Sequence, residues 1–412
     1  MGTWIGITIK NHDFLWAKNS FGDLLKPFSP ANLILEEATD DEGEKYTRRY
    51  FSLNVKEMIQ VLDSLGHTLS KAKEDFERSK NEEIEFIEYC LEHGHDLPLT
   101  KEDLQSYFTF DAWKSAAHKY ACWIAEESFA YKQLDEMPTD ELSISEELVF
   151  RSLSPTSENY FGLLPEQIDQ WNIFRVLLEA FDSKEKVFLD YTELYEAGWC
   201  GEYPSEEEYA DSKTIILTEG KFDAEVIEQS MNLLFPHMSK FYAFINFGEY
   251  SVQGSTNFLT HYLRAFAASG IKNRVIALYD NDSAGLAEMK LLEGIKMPDN
   301  FRVMTLPNVE FAKEYPTLGP NGLEKANING RACSIELFLG QDILIDENGL
   351  IPIHWKGYNE KVETYQGEIM HKRMIQDHFW AKMKTAKQSD ILEQEAWKEM
   401  KMLLNAIFTA FQ

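Results

Sequence analysis

Two apolar runs, each followed directly by carboxylates, constrain the fold of this chain more than any other feature. Residues 214–218 lead into Glu219, and residues 275–279 lead into Asp280 and Asp282. Each run is long enough for a strand that is buried on both faces, and a helical pattern follows each one. The sequence therefore predicts two strand–helix units with acidic residues at the strand ends.

The same alternation of strand and helix continues around these runs. The predicted strands are residues 214–218, 241–247, 274–279 and 301–306. Such alternation is typical of βαβ units that form a parallel sheet. We therefore predict an α/β fold class, in which a parallel sheet flanked by helices is preceded by a mixed α+β N-terminal domain and a helical region.

Four segments are predicted along the chain. They are an N-terminal β-rich domain (residues 1–54), a helical region (55–205), the α/β domain (206–345) and a C-terminal helical extension (346–412). Asn54 has the residue type of a helix N-cap, and the periodicity after it is helical. Residues 133–165 contain three prolines and several serines, which indicates a linker or an ordered loop.

The acidic residues are expected to meet at one edge of the sheet. In an open parallel sheet, ligands bind beyond the carboxyl ends of the strands. If the first and third strands are neighbours, Glu219, Asp280 and Asp282 converge there, and Asp223 joins them from the first turn of the next helix. Gly285 allows that part of the chain to pack closely.

A cation is expected among these acids. Two like charges at ~4 Å cost on the order of 4 kcal/mol at an effective dielectric of 20. Alternate residues of an extended segment point to the same side, so Asp280 and Asp282 can reach one ion. Hard oxygen ligands favour Mg²⁺.

These residues resemble a Toprim domain, the module shared by topoisomerases, primases and certain nucleases. That family carries a Glu after its first strand and a D-x-D-x-x-G pattern after its third. Here Glu219 matches the first position, and Asp280, Asp282 and Gly285 match the second, over roughly residues 211–345. The resemblance implies that the aspartates hold Mg²⁺ or Mn²⁺ and that Glu219 is a metal ligand or a general acid/base.

The rest of the chain narrows the choice within that family. It is too short for a type I topoisomerase, and it has neither the zinc element usual in primases nor the ATP-binding motif of gyrase-like enzymes. Toprim nucleases of the overcoming-lysogenization-defect kind remain, and these add further acids for a second metal. Glu336 is the candidate for that role, with a solvated helix residue as the alternative, and Glu288 is a weaker candidate.

The N-terminal segment also indicates a protein of the Toprim type. Residues 1–9, followed by Ala17, Lys18 and Asn19, look like the N-terminal domain found ahead of Toprim or HEPN modules in bacterial conflict proteins. This resemblance implies a role in antiphage defence. It adds no catalytic residue.

Composition limits the partners and the compartment. The net charge is −29, from 40 basic and 69 acidic residues, which opposes contacts with nucleic-acid phosphates. Nucleic acid would then meet a local basic surface, bound metal or a partner subunit. No apolar run approaches the ~20 residues that cross a bilayer. The four cysteines lie far apart, and we expect a cytoplasmic protein without a membrane association.

The sequence as a whole predicts an enzyme. We expect a Mg²⁺- or Mn²⁺-dependent endonuclease that acts on DNA or RNA in antiphage defence, with Glu219, Asp280 and Asp282 as catalytic residues. The metal ligands would be these three together with Asp223 and Glu336. Beyond the nucleic-acid substrate, the expected partners are an ATPase or sensor subunit and a second copy of the chain.

Two alternatives remain. The chain would be a regulatory or scaffolding Toprim subunit if its site binds without turnover. It would be a HEPN-type ribonuclease if Arg373 and His378, which fit an R-x4-H pattern, form the active site. Two residues five positions apart on a helix, such as these, do not lie closely on one face.

Overall fold

A computed structural model gives the fold of the 412-residue chain. It describes residues 2–40, 42–94, 101–125, 143, 168–205, 209, 213–245, 254–387 and 395–412. The predicted linker at residues 133–165 lies outside these residues, except for Ser143. The chain forms two compact units, Met1–Ala210 and Asp211–Phe411.

A five-stranded sheet organises the N-terminal unit. Its strands are β1 (Trp4–Ile9), β2 (His12–Lys18), β3 (Leu33–Thr39), β4 (Lys45–Asn54) and β5 (Lys186–Asp190). The strand order is β2-β1-β5-β4-β3, and neighbouring strands are antiparallel. Ile5, Ile7 and Ile9 alternate along β1 and are buried, because alternate side chains of a strand point to one face.

Helices complete this unit. They are α1 (Val55–Leu65), α2 (Leu69–Glu92), α3 (Lys101–Ser106), α4 (Phe110–Ala125), α5 (Gln170–Leu178) and α6 (Thr192–Glu196). Asn54 caps α1 as predicted, since its side chain accepts a hydrogen bond from the Glu57 amide at 2.9 Å. Gly66 ends the helix with φ of 99°, a conformation that glycine adopts without strain.

A four-stranded parallel sheet organises the second unit. Its strands are β6 (Thr214–Leu217), β7 (Tyr242–Phe244), β8 (Val275–Tyr279) and β10 (Phe301–Thr305), in the order β10-β8-β6-β7. The short strand β9 (Asn281–Asp282) pairs with β13 (Ala332–Cys333). Helices α7 (Lys221–Leu234), α8 (Thr256–Ser269) and α9 (Ser283–Lys290) connect the parallel strands. The prediction of an α/β fold with a parallel sheet is confirmed.

The second unit also contains a mixed sheet and two C-terminal helices. The sheet has the order β12-β11-β16-β17, from β11 (Tyr315–Gly319), β12 (Gly322–Ala326), β16 (Ile353–Asn359) and β17 (Thr364–Ile369). Between them, β14 (Ile345–Asp346) and β15 (Gly349–Leu350) form a small hairpin. Helices α10 (Lys372–Ala386) and α11 (Lys398–Phe408) follow.

Two strand regions correct the secondary-structure prediction. β5 lies inside the segment that was predicted to be helical, and β16 and β17 lie inside the predicted C-terminal helical extension. In β5 only Val187 and Leu189 are buried, so the alternation is too short to stand out in the sequence. In β16 a register shift between Trp355 and Gly357 interrupts the alternation itself.

Among the described residues, no helix has the length and apolarity that crossing a membrane requires.

Replacing Trp113 by alanine should destabilise the N-terminal unit strongly. Its side chain is only 2% exposed, and its ring lies 5.6 Å from that of Phe76 and 5.7 Å from that of Phe110. We expect a loss of about 3–5 kcal/mol in the free energy of unfolding, because the buried ring leaves a cavity. Urea denaturation followed by far-UV circular dichroism measures this. Trp199, which is 51% exposed, is the control, and its alanine variant should change stability by less than about 0.5 kcal/mol.

The ion pairs of Glu179 should make stability depend on pH in the acid range. Burial opposes ionisation of this carboxyl, but hydrogen bonds from Lys114 and Arg175 outweigh it, and its pKa lies below the ordinary value of 4.5. A carboxyl with a lowered folded-state pKa stabilises above its unfolded-state pKa, and this contribution is lost as the pH falls through the folded-state value.

Glu179→Gln therefore separates this contribution from the rest of the chain. Parent and variant should differ most in free energy of unfolding at neutral pH, and the difference should shrink below pH ~4. Urea denaturation at a series of pH values tests this. A difference that stays constant with pH would show that the pair does not contribute through ionisation.

Candidate functional site

The register of β6 against β8 brings the two acidic strand ends together. Ile215 pairs with Val275, and Leu217 pairs with Ala277, so the parallel strands end side by side. Beyond them, the amide of Asp280 donates a hydrogen bond to Oε1 of Glu219 at 2.9 Å. The sequence expectation that the first and third strands are neighbours is thus met, and their acidic ends are in direct contact.

Glu219 is held in place from two sides. Its second oxygen, Oε2, accepts a hydrogen bond from Oγ1 of Thr256 at 2.6 Å. Thr256 is the first residue of α8, whose N-cap is Ser255. Burial raises the pKa of Glu219 above its ordinary value, while the bonds from Thr256 and the Asp280 amide act in the opposite direction. The carboxylate is therefore oriented before any ligand arrives.

Asp282 begins α9 and is fixed by the helix that it caps. Its Oδ1 accepts a hydrogen bond from the Gly285 amide at 2.8 Å. A Cβ atom on Gly285 would lie 2.3 Å from the carbonyl oxygen of Asp280, so only glycine lets the helix start approach this closely. Burial raises the pKa of Asp282, against the helix amides, which lower it. The expected packing role of Gly285 is confirmed.

Asn281, between the two aspartates, holds the backbone of the D-N-D segment through its side-chain hydrogen bonds. It is 5% exposed, its Oδ1 accepts from the Gly330 amide at 2.9 Å, and its Nδ2 donates to Oδ1 of Asn308 at 2.8 Å. β9 also pairs with β13, which places Asp282 opposite Ala332. The D-N-D segment is therefore anchored by its middle residue.

Asp280 lies at the centre of a set of carboxylates. Burial raises its pKa well above the ordinary value, and the charges of four other acids raise it further: Glu219, Asp223, Asp282 and Glu336. Asp223 lies in the first turn of α7. Burial and the charge of Glu336 raise the pKa of Asp223 to about 7. The charges of the other four acids predicted from the sequence thus all act on Asp280.

Glu336 is the most buried of these acids. Its exposed fraction is 0%, which excludes the alternative that it is a solvated helix residue. Its Oε2 accepts from Oγ of Ser334 at 2.6 Å, and its Oε1 accepts from Nε2 of Gln376 at 3.0 Å. Nζ of Lys372 lies 3.1 Å from the same Oε1. A carboxylate this deep needs such partners, because an unpaired buried charge is costly.

Lys372 is the cation that faces the acidic cluster. Burial lowers its pKa, but the charge and hydrogen bond of Glu336, together with Asp280 and Asp223, outweigh this effect and raise it. The same ammonium lowers the pKa of Glu219, Asp223 and Asp282. Sequence reasoning missed Lys372, because it begins α10 far along the chain and no local pattern distinguishes it from other surface lysines.

The cluster has the chemistry of a metal site without a finished ligand shell. Five carboxylates supply the hard oxygen donors that Mg²⁺ and Mn²⁺ prefer. Among the residues that the structure describes, however, no three acidic, histidine or cysteine side chains are arranged to hold one ion. Glu219 and Glu336 are instead engaged by hydroxyl, amide and ammonium groups. The donor types suit a divalent cation, but their arrangement does not hold one, and binding would require some of these contacts to change.

The remaining candidates make other contacts. Glu288 accepts a hydrogen bond from Oγ1 of Thr260 at 3.0 Å, and the same hydroxyl lies 2.9 Å from the Tyr279 hydroxyl. Arg373 and His378 are both exposed on α10, so the HEPN alternative gains no geometric support.

The comparisons with known proteins identify the N-terminal half of the chain. The family model described as HEPN/Toprim N-terminal domain 1 matches residues 1–214. No curated protein and no solved structure gives a significant match. The match covers the five-stranded sheet and the helices α1–α6, and it confirms the resemblance of the first residues to a domain of this kind. The family name associates such chains with nuclease-type proteins. The chain belongs to the HEPN/Toprim N-terminal domain 1 family.

Proposed function

We propose that this protein is a Toprim-type, metal-dependent endonuclease that cleaves phosphodiester bonds in DNA or RNA. One observation carries the proposal: the ends of β6 and β8 lie together, with the Asp280 amide bonded to Glu219 at 2.9 Å. The crevice beyond the carboxyl ends of parallel strands is where such sheets bind their ligands. The charges of Asp223, Asp282 and Glu336 act on the same point.

The cofactor in this proposal is Mg²⁺ or Mn²⁺. Glu219, Asp223, Asp280, Asp282 and Glu336 would hold it. When bound, it would neutralise charge at the phosphate and lower the pKa of a water molecule. The raised pKa values of Asp280 and Asp223 support this assignment, because mutually repelling carboxylates favour a ligand that carries positive charge.

The protein's own residues would orient the carboxylates and supply a positive charge. Thr256 and the Asp280 amide hold the Glu219 carboxylate in one orientation, so that it can ligate or move a proton. Lys372 supplies a positive charge beside Glu336, and an ammonium in that place can pair with a phosphate oxygen. The hydrogen bond of Asn281 and the close packing of Gly285 fix the backbone that carries Asp280 and Asp282.

The family supports a proposal for the biological setting. HEPN/Toprim N-terminal domains are named for the modules they accompany, and a chain with a Toprim-like site fits an effector of antiphage defence. We propose that an ATPase or sensor subunit, or a second copy of the chain, controls the nuclease. The chain's acidity would weaken its binding to nucleic acid in the absence of such control, since phosphates repel a net charge of −29.

A regulatory or scaffolding subunit is the second candidate function. The hydrogen bonds that already engage Glu219 and Glu336 favour it, because they leave no finished shell for a cation among the described residues. Purified protein incubated with Mn²⁺ and single- and double-stranded DNA and RNA separates the two. Cleavage by the chain alone supports the enzyme. If no substrate is cleaved, even in the presence of the partner subunits, the scaffold is favoured.

Asp280→Asn should abolish cleavage without loss of the fold. The substitution keeps the shape of the side chain but removes a charge that four neighbouring acids repel, so the thermal midpoint without metal should not fall. Cleavage should decrease by more than about a hundredfold, since even changes around metal ligands cost 10–100-fold. Gel assays with Mn²⁺ measure the rate. The exposed Asp299 provides the matched control, and Asp299→Asn should cleave like the parent.

Divalent metal should stabilise the parent and not a variant without the D-x-D carboxylates. A ligand at about a hundredfold above its Kd adds about 2.7 kcal/mol to the folded state. For a unit of this size that corresponds to a rise of roughly 5–10 °C in thermal midpoint. Differential scanning fluorimetry with Mn²⁺ should show this rise in the parent and in Asp299→Asn. An equal rise in the double variant Asp280→Asn/Asp282→Asn would contradict the metal assignment, whatever the nuclease assay shows.

A further inference from the structure

Three aromatic side chains form a continuous ridge on the β16–β17 hairpin. The rings of Trp355 and Tyr365 are 6.2 Å apart, and those of Tyr365 and Tyr358 are 5.2 Å apart at an interplanar angle of 77°. Tyr358 and Tyr365 are each 55% exposed. Large aromatic surfaces in water are unfavourable, so an exposed pair of this kind indicates a surface that meets a ligand.

A register shift places all three rings on one face. Trp355 pairs with Gly367 and Tyr358 pairs with Tyr365, although Trp355 and Tyr358 are three residues apart. In a regular strand, side chains three residues apart point to opposite faces. The additional residue at Lys356 restores the common face, and bulges of this kind often direct side chains beside functional sites.

The hairpin that carries the ridge packs beside the segment that contains Asp282. A Cβ atom on Gly367 would lie 3.0 Å from the Trp355 ring and 3.1 Å from the Cβ of Ala332, so the hairpin packs on β13. Ala332 is the residue that pairs with Asp282. At the end of β16, Nδ2 of Asn359 donates to the carbonyl oxygen of Ser283 at 3.0 Å. The exposed tyrosines therefore lie on a hairpin that is joined to the neighbours of Asp282.

We propose that Tyr358 and Tyr365 stack on the bases of single-stranded nucleic acid and position the strand at the carboxylate cluster. This inference rests on the proposed nuclease function. The chain carries 69 acidic and 40 basic residues, which opposes binding through phosphates. The flat face of a base carries no net charge, and stacking on aromatic side chains binds single strands without sequence preference. In a duplex these faces are already covered by neighbouring bases, so a single strand is the form recognised.

The charges on the hairpin do not favour binding through phosphates. Lys356 is paired with Glu368 at 3.3 Å. The carbonyl oxygen of Lys361 accepts a hydrogen bond from Nζ of Lys290 at 2.9 Å. The hairpin also carries Glu360 and Glu363, so it presents no basic stripe that would follow a phosphate backbone.

The test measures binding separately from cleavage. All variants are made in the Asp280→Asn background, and fluorescence anisotropy follows a labelled oligothymidylate and an oligouridylate. Tyr358→Ala/Tyr365→Ala should weaken binding by about tenfold or more per ring, because stacking contributes that much per base. Tyr358→Phe/Tyr365→Phe keeps the rings and should bind like its parent. The exposed Tyr203, which lies in the other compact unit, supplies the control Tyr203→Ala.

An oligonucleotide without bases makes the test specific. A strand of abasic sites should bind the double alanine variant and its parent equally, since only the phosphates remain. Dependence on both rings in the presence of bases supports the inference even if the chain cleaves no substrate. Equal binding of the alanine and parent proteins, or no binding of single strands by either, would overturn it, while cleavage by the Asp280-containing protein would still support the nuclease function.

Discussion

The hydrogen bond from the Asp280 amide to Glu219 is the contact on which the candidate site depends. It forms only because β6 and β8 are adjacent and parallel, with their carboxyl ends at the same edge. A register shift of one residue would turn each side chain to the opposite face of the sheet. The strand residues, all buried except the partly buried Ile215, therefore fix the position of the acids that follow them.

The cluster stores electrostatic repulsion that the fold offsets in separate ways. Hydroxyl and amide groups hold Glu219, helix amides hold Asp282, and an ammonium and an amide side chain hold Glu336. Asp280 and Asp223 retain raised pKa values in spite of these contacts. Such an arrangement is typical of functional sites rather than of structural ion pairs, because burying several like charges contributes nothing to folding.

Strand ends and helix starts could be predicted from the sequence, since apolar runs and capping residues are local signals. The acids at positions 219, 280 and 282 and the packing role of Gly285 were found in this way. Lys372 and β5 could not be found, because their roles come from contacts between segments that are distant in the chain. The strand β16 was missed for a different reason: the extra residue at Lys356 breaks the alternation by which a strand is recognised.

The close approach at Gly285 has a consequence for every chain that shares this arrangement. The Asp280 carbonyl leaves no room for even a methyl group at that position, so a larger residue would lift the first turn of α9 away from the sheet. Asp282 caps that turn and would move with it, which would separate it from Asp280. A related sequence could therefore retain every acid and still lack a working centre, and the residue three places after the second aspartate would distinguish the two kinds of chain.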